Sequence, residues 1–199
     1  GVTEYFANLF QINQGLIEEG EFFERMAGKI AQSRQMNDNM SFTKMSKNVL
    51  NPPYKDQYLN VYHKGALIAM CIDILIRENS NGEKGILNLM QELSKQYGAN
   101  KAFKDEELFD KITALTYPAV GEFLKTHVAG ETPIPYEQFF AKMGVSETTI
   151  EVPGNPFLKG QTEPYITINP NTKEILVLPE GELNIFMTSL GLKNNDTLL

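Results

Sequence analysis

Tyr62-His63-Lys64-Gly65-Ala66-Leu67-Ile68-Ala69-Met70-Cys71-Ile72-Asp73-Ile74-Leu75-Ile76-Arg77 is the stretch that decides the fold. From Ala66 to Ile76 only Asp73 is charged, and a helix that is apolar on all sides has to be enclosed by its neighbours. About a dozen apolar residues also fall short of the ~20 that a membrane-spanning helix requires. The pattern predicts a central helix from about Leu59 to Glu78, closed by Asn79-Ser80-Asn81-Gly82. Its head carries the polar tetrad Tyr62-His63-Lys64-Gly65, so a buried helix places side chains of varied chemistry at one end of a core.

The surrounding segments supply the enclosure. Tyr5, Phe6, Leu9, Phe10 and Ile12 recur at helical spacing, as do Phe22, Phe23, Met26 and Ile30, which predicts two antiparallel helices. Residues 37–57 are polar, and Pro52-Pro53 forbids helix there, so a long loop is expected with one helical turn near Phe42–Met45. Four shorter amphipathic helices follow at Ile86–Tyr97, Asp105–Leu115, Ala119–Val128 and Tyr136–Met143, punctuated by Gly98, Pro118, Gly130 and Gly144. After Gly144 the character changes. Pro153, Gly154, Pro156, Gly160 and Pro164 mark a linker, and Tyr165–Ile168 and Glu174–Leu178 flank Asn169-Pro170-Asn171-Thr172 as a β-hairpin. A short amphipathic helix over Gly181–Leu190 completes the pattern. The expected fold is mainly α: a multi-helix bundle over 1–147, a linker over 148–164, and a small β segment over 165–199.

Composition narrows the function classes. With 199 residues, 42% hydrophobic and 22% charged, the chain can bury one good core and a small satellite. The formal charge of -7 is spread along the sequence, and no Lys/Arg cluster offers the basic footprint for phosphate contacts, which argues against a nucleic-acid partner. Cys71 is the sole cysteine and falls in the apolar run, so it forms no internal disulfide and reads as a small hydrophobe. Gly1-Val2-Thr3-Glu4-Tyr5 enters helix periodicity directly, and Leu198-Leu199 stops where a strand should begin, so both ends read as cut from a longer protein. Neither oligomeric state nor compartment is fixed by these features.

Several side chains invite a chemical reading. Tyr62 is either a buried tyrosine satisfied by backbone or a phenol aimed into a cleft. Lys64, near the positive end of a helix dipole, needs a carboxylate or carbonyl partner if buried. His63 is expected to be exposed. Asp73 and Arg77 are four apart, and an Asp73–Arg77 pair is the expected way to hold a carboxylate in the core, so that Arg77→Ala would cost on the order of 3 kcal/mol. His127, the only other histidine, lies far from His63, and Gly130 and Pro133 interrupt its spacing to Glu131. No set of zinc ligands is visible in the chain.

The run Val61-Tyr62-His63-Lys64-Gly65-Ala66-Leu67-Ile68-Ala69, with Asp73 and Arg77, resembles the Tyr-x-Lys-Gly-Ala segment of gluzincin metallopeptidases, and above all the PDZ-containing glycyl aminopeptidase family. Gly1 to Gln14 looks like the helix that follows the third zinc ligand of that family, the glutamate of a Glu-Gly pair. His127-Val128-Ala129-Gly130 and Pro133-Ile134-Pro135-Tyr136 resemble the end of its catalytic domain. Ser189 to Leu199 is similar to the Ala-Gly-Leu-x-x-Gly-Asp-x-Ile-Leu stretch of PDZ domains, with Asn195 where glycine is expected. The chain holds no His-Glu-x-x-His. The resemblance implies the helical back half of a zinc aminopeptidase with a partial PDZ-like tail, inactive alone and holding no zinc of its own. In the parent, zinc would be the cofactor, a peptide the substrate, and Tyr62 the catalytic residue that donates to the oxyanion. Such a parent could be cytoplasmic or exported. The alternative is a non-catalytic helical scaffold whose β tail captures peptides.

Overall fold

A computed structural model describes residues 1–98, 100–146, 148, 155–160 and 162–198. The protein is mainly helical, with two small antiparallel sheets near the C-terminal end. It divides into two compact units, Gly1–Glu147 and Thr148–Leu199.

The helical unit is organised around α4 (His63–Asn79), in which every residue from Lys64 to Ile76 is buried. α1 (Val2–Asn13) and α2 (Glu19–Arg34) both pack on it, placing Tyr5, Phe22, Met26 and Ile30 against its apolar sides. α3 (Phe42–Lys47) is capped by the Ser41 hydroxyl, which accepts from the Lys44 amide at 3.3 Å. α5 (Ile86–Gln96), α6 (Asp105–Leu115), α7 (Pro118–Phe123) and α8 (Tyr136–Lys142) complete the shell.

Two departures from regular α-helix matter. The expected central helix does not begin at Leu59. Tyr54–Val61 is a 3₁₀ helix, inclined 48° to α4, so Tyr62 sits at a bend. The segment expected as one helix over Ala119–Val128 passes from α7 into a π-helical turn, Leu124–Ala129, which ends at Gly130. No single described helix is long and apolar enough to cross a membrane.

The second unit contains β1 (Leu158–Lys159) paired antiparallel with β2 (Glu163–Pro164), inside the span expected as linker. Pro153 and Gly154 of that expected linker lie outside the described residues. β3 (Ile166–Ile168) and β4 (Ile175–Val177) form the expected hairpin, in register Ile166↔Val177 and Ile168↔Ile175. β5 (Thr197–Leu198) adds a third antiparallel strand beside β4. Tyr165, Val177 and Met187, the last from α9 (Ile185–Ser189), form its small core.

Candidate functional site

The bend at Tyr62 makes the head of α4 a chemically mixed corner. The Tyr62 amide donates to the Leu59 carbonyl at 3.0 Å, closing the 3₁₀ helix, while its carbonyl accepts from the Ala66 amide at 3.1 Å, opening α4. Its backbone is thereby fixed, but its side chain is 45% exposed. The Tyr62 hydroxyl lies 3.3 Å from that of Tyr58, and the two rings meet edge to face, with centroids 5.9 Å apart at 72°. The hydrogen bond to Tyr58 raises the Tyr62 phenol above its ordinary value, so it is a neutral donor at pH 7. Sequence reasoning overlooked Tyr58. Its only signal was the four-residue spacing to Tyr62.

Lys64 points the other way, into the protein, with 2% of its side chain exposed. The structure supplies both kinds of partner that a buried ammonium needs: the Asp38 carboxylate at 2.7 Å and the Asp38 carbonyl at 3.0 Å. Asp38 belongs to the polar loop between α2 and α3. The neighbouring Asn37 amide donates to the Gln57 side chain at 2.8 Å, which ties the same loop to the 3₁₀ helix. Loop, 3₁₀ helix and α4 are therefore joined beneath the two tyrosines.

His63, expected to be exposed, is half-buried, and its Nδ1 is a buried atom without a hydrogen-bond partner. The physical reason is its position on the first turn of α4, which packs against α1. Burial holds its imidazole below the ordinary range, Lys29 adds to the effect, and Glu4 opposes it. Gly65 meets α1 more closely still. A Cβ at residue 65 would lie 2.8 Å from the Gly1 Cα, so only glycine allows the two backbones to approach.

Eight residues after Gly65, Asp73 is 2% exposed and has more partners than the expected pair. It accepts from the Tyr5 hydroxyl at 2.8 Å, the Ile86 amide at 2.6 Å and Arg77 Nε at 3.1 Å. The carboxylate thus caps α5 from outside, and a Cβ on Gly85 would come within 2.6 Å of Asp73 Oδ1. Burial, reinforced by the carboxylate, drives the Tyr5 phenol upward. A cavity of 670 Å³ opens above Asp73 and Arg77, and an apolar groove of 840 Å³ runs between α5 and α6. Tyr62 lines neither.

His127 and Glu131 do not converge: the His127 ring nitrogen pairs with the Thr132 carbonyl at 3.0 Å, and Glu131 lies 3.7 Å from Lys44. Among the described residues no three His, Cys, Asp or Glu side chains gather as a metal-binding group. The Cys71 thiol is fully enclosed, and burial pushes it up. No protein-family model, curated protein or solved structure matches the chain.

Proposed function

We propose that this chain forms one wall of a gluzincin peptidase active site, with Tyr62 as the phenol that stabilises the oxyanion. The observation that carries the reading is the juxtaposition at the head of α4. Gly1, which in the resembled family directly follows a zinc-ligating glutamate, packs its backbone on Gly65, one helical turn from Tyr62. The Tyr-x-Lys-Gly pattern also acquires a division of labour. Tyr62 is exposed at a rigid bend, Lys64 anchors the corner from inside, and Gly65 permits the close approach of α1.

Among the described residues no side chains gather as a zinc site, so on this reading the metal, its His-Glu-x-x-His ligands and the general base would come from residues outside the given sequence. What Tyr62 does is limited to one act. As the scissile carbonyl carbon becomes tetrahedral, its oxygen gains negative charge, and the neutral phenol donates a hydrogen bond to it without losing its proton. In the second unit, Asn195 adopts φ 68°, the left-handed conformation that glycine favours, which suits the place where a PDZ domain carries glycine.

The test is Tyr62→Phe in the full-length parent. Turnover should fall by ~10²–10³, with substrate KM and zinc content nearly unchanged. Undiminished turnover would refute the assignment and return Tyr62 to a structural role. An upstream coding sequence without His-Glu-x-x-His roughly twenty residues before Gly1 would do the same.

A further inference from the structure

An exposed phenol is an imprecise hydrogen-bond donor. Its ring samples more than one χ1 well, and its hydroxyl proton rotates to suit the solvent. Tyr62 is 45% exposed, and the bend at its backbone does not by itself fix the direction of its O–H. Tyr58, one turn earlier on the 3₁₀ helix, supplies what is missing. Its ring bears edge-on against that of Tyr62, and its hydroxyl lies 3.3 Å from the Tyr62 hydroxyl. The Tyr58 side chain is itself 46% exposed, but its backbone neighbour Gln57 is tied to the Asn37 amide, and the adjoining Asp38 is locked on Lys64.

We propose that Tyr58 is a positioning residue for Tyr62: the two phenols act as one hydrogen-bonded unit that fixes the ring and the proton of the donor. This rests on the reading of Tyr62 as the oxyanion donor. In the neutral pair one O–H donates to the other oxygen, and the second proton is left to point away from the pair. When Tyr58 donates, the free proton is that of Tyr62, and one Tyr62 lone pair is already occupied, which narrows the directions its own O–H takes. No bond is made or broken, and both protons remain on the pair. The same hydrogen bond holds the Tyr62 phenol above its ordinary value.

That coupling gives a readout separate from catalysis and from stability. The chain is labelled with 3-fluorotyrosine, whose phenol titrates at lower pH than tyrosine. The Tyr62 resonance is assigned by its loss in Tyr62→Phe and followed by fluorine NMR against pH. In the native sequence the Tyr62 signal should titrate above the ordinary range of its label. In Tyr58→Phe the titration of Tyr62 should move to lower pH. Identical titration of Tyr62 with and without the Tyr58 hydroxyl would overturn the proposal. In the full-length enzyme Tyr58→Phe should lower kcat by up to about tenfold with KM unchanged, the scale of one ordinary hydrogen bond. The two ideas fail separately. Undiminished turnover in Tyr62→Phe removes the catalytic reading, whereas an uncoupled titration removes only the role of Tyr58.

Discussion

Removing the Tyr5 hydroxyl should damage this protein more than removing the Arg77 guanidinium, although only the latter carries charge. Tyr5 is 3% exposed, and its O–H reaches Asp73 at 2.8 Å, a charge-assisted hydrogen bond in a dry environment. Tyr5→Phe keeps the ring, leaves no cavity, and takes one donor from a buried carboxylate, a loss of about 2 kcal/mol. Arg77 contacts the same carboxylate through Nε at 3.1 Å, but its side chain is 47% exposed. Solvent screens that pair, and Asp73 keeps both the Tyr5 hydroxyl and the Ile86 amide when Arg77 is gone. Arg77→Ala should therefore cost about 1 kcal/mol or less. That is well below the ~3 kcal/mol expected had the guanidinium been the sole partner of a buried carboxylate. Urea unfolding followed by helical circular dichroism reports on residues 1–147, where nearly all of the helix resides. Equal slopes would show that the midpoints reflect stability alone. If Arg77→Ala proves as destabilising as Tyr5→Phe, the account of Asp73 as a three-donor hub is wrong.

Two other measurements probe separate parts of the molecule. Because burial holds His63 below its ordinary 6.5, the unfolded chain takes up a proton that the folded chain refuses as pH falls below that value. Stability should then decline below pH 6.5, and His63→Gln should flatten the decline. Glu4, held below 4.5 by its hydrogen bond to Lys29, adds its own loss only in more acid solution. In the second unit, Asn195→Ala should cost about 1 kcal/mol, because alanine tolerates φ 68° worse than asparagine does. Asn195→Gly should cost nothing, and hydrogen exchange at the Val177 amide, bonded to the Asp196 carbonyl, would report both changes.

The elements that were legible in the sequence were those whose signal is local. α6 spans Asp105–Leu115 and α8 Tyr136–Lys142, almost as periodicity and the Gly and Pro stops predict. The enclosure of α4 followed from its unbroken apolar run. The start of α4 was misplaced because Leu59 and Val61 continue its apolar character while their backbone is 3₁₀, a difference that hydrophobic spacing does not encode. The π-helical turn at Leu124–Ala129 stayed hidden for a similar reason. β1 and β2, two residues each, are too short to show a period. At the candidate site, the need of a buried Lys64 for a partner was readable, but its identity was not, since Asp38 lies 26 positions away in a polar loop. Tyr5 and Asp73 are 68 positions apart, and no local pattern links them.

The loop that carries Asp38 would pass, on composition alone, for a tolerant surface connection. Loops of this kind usually accept insertions and deletions because their backbones have nowhere fixed to be. Here the ammonium at the centre of the corner requires both the side chain and the carbonyl of one residue, and the next residue back is held by Gln57. Adding or removing a single residue between Arg34 and Ser41 would shift that carbonyl off its cation and strand a charge on a side chain that is only 2% exposed. Variation in this segment is therefore restricted in length more than in letters: the residue count is set by the geometry at the head of α4.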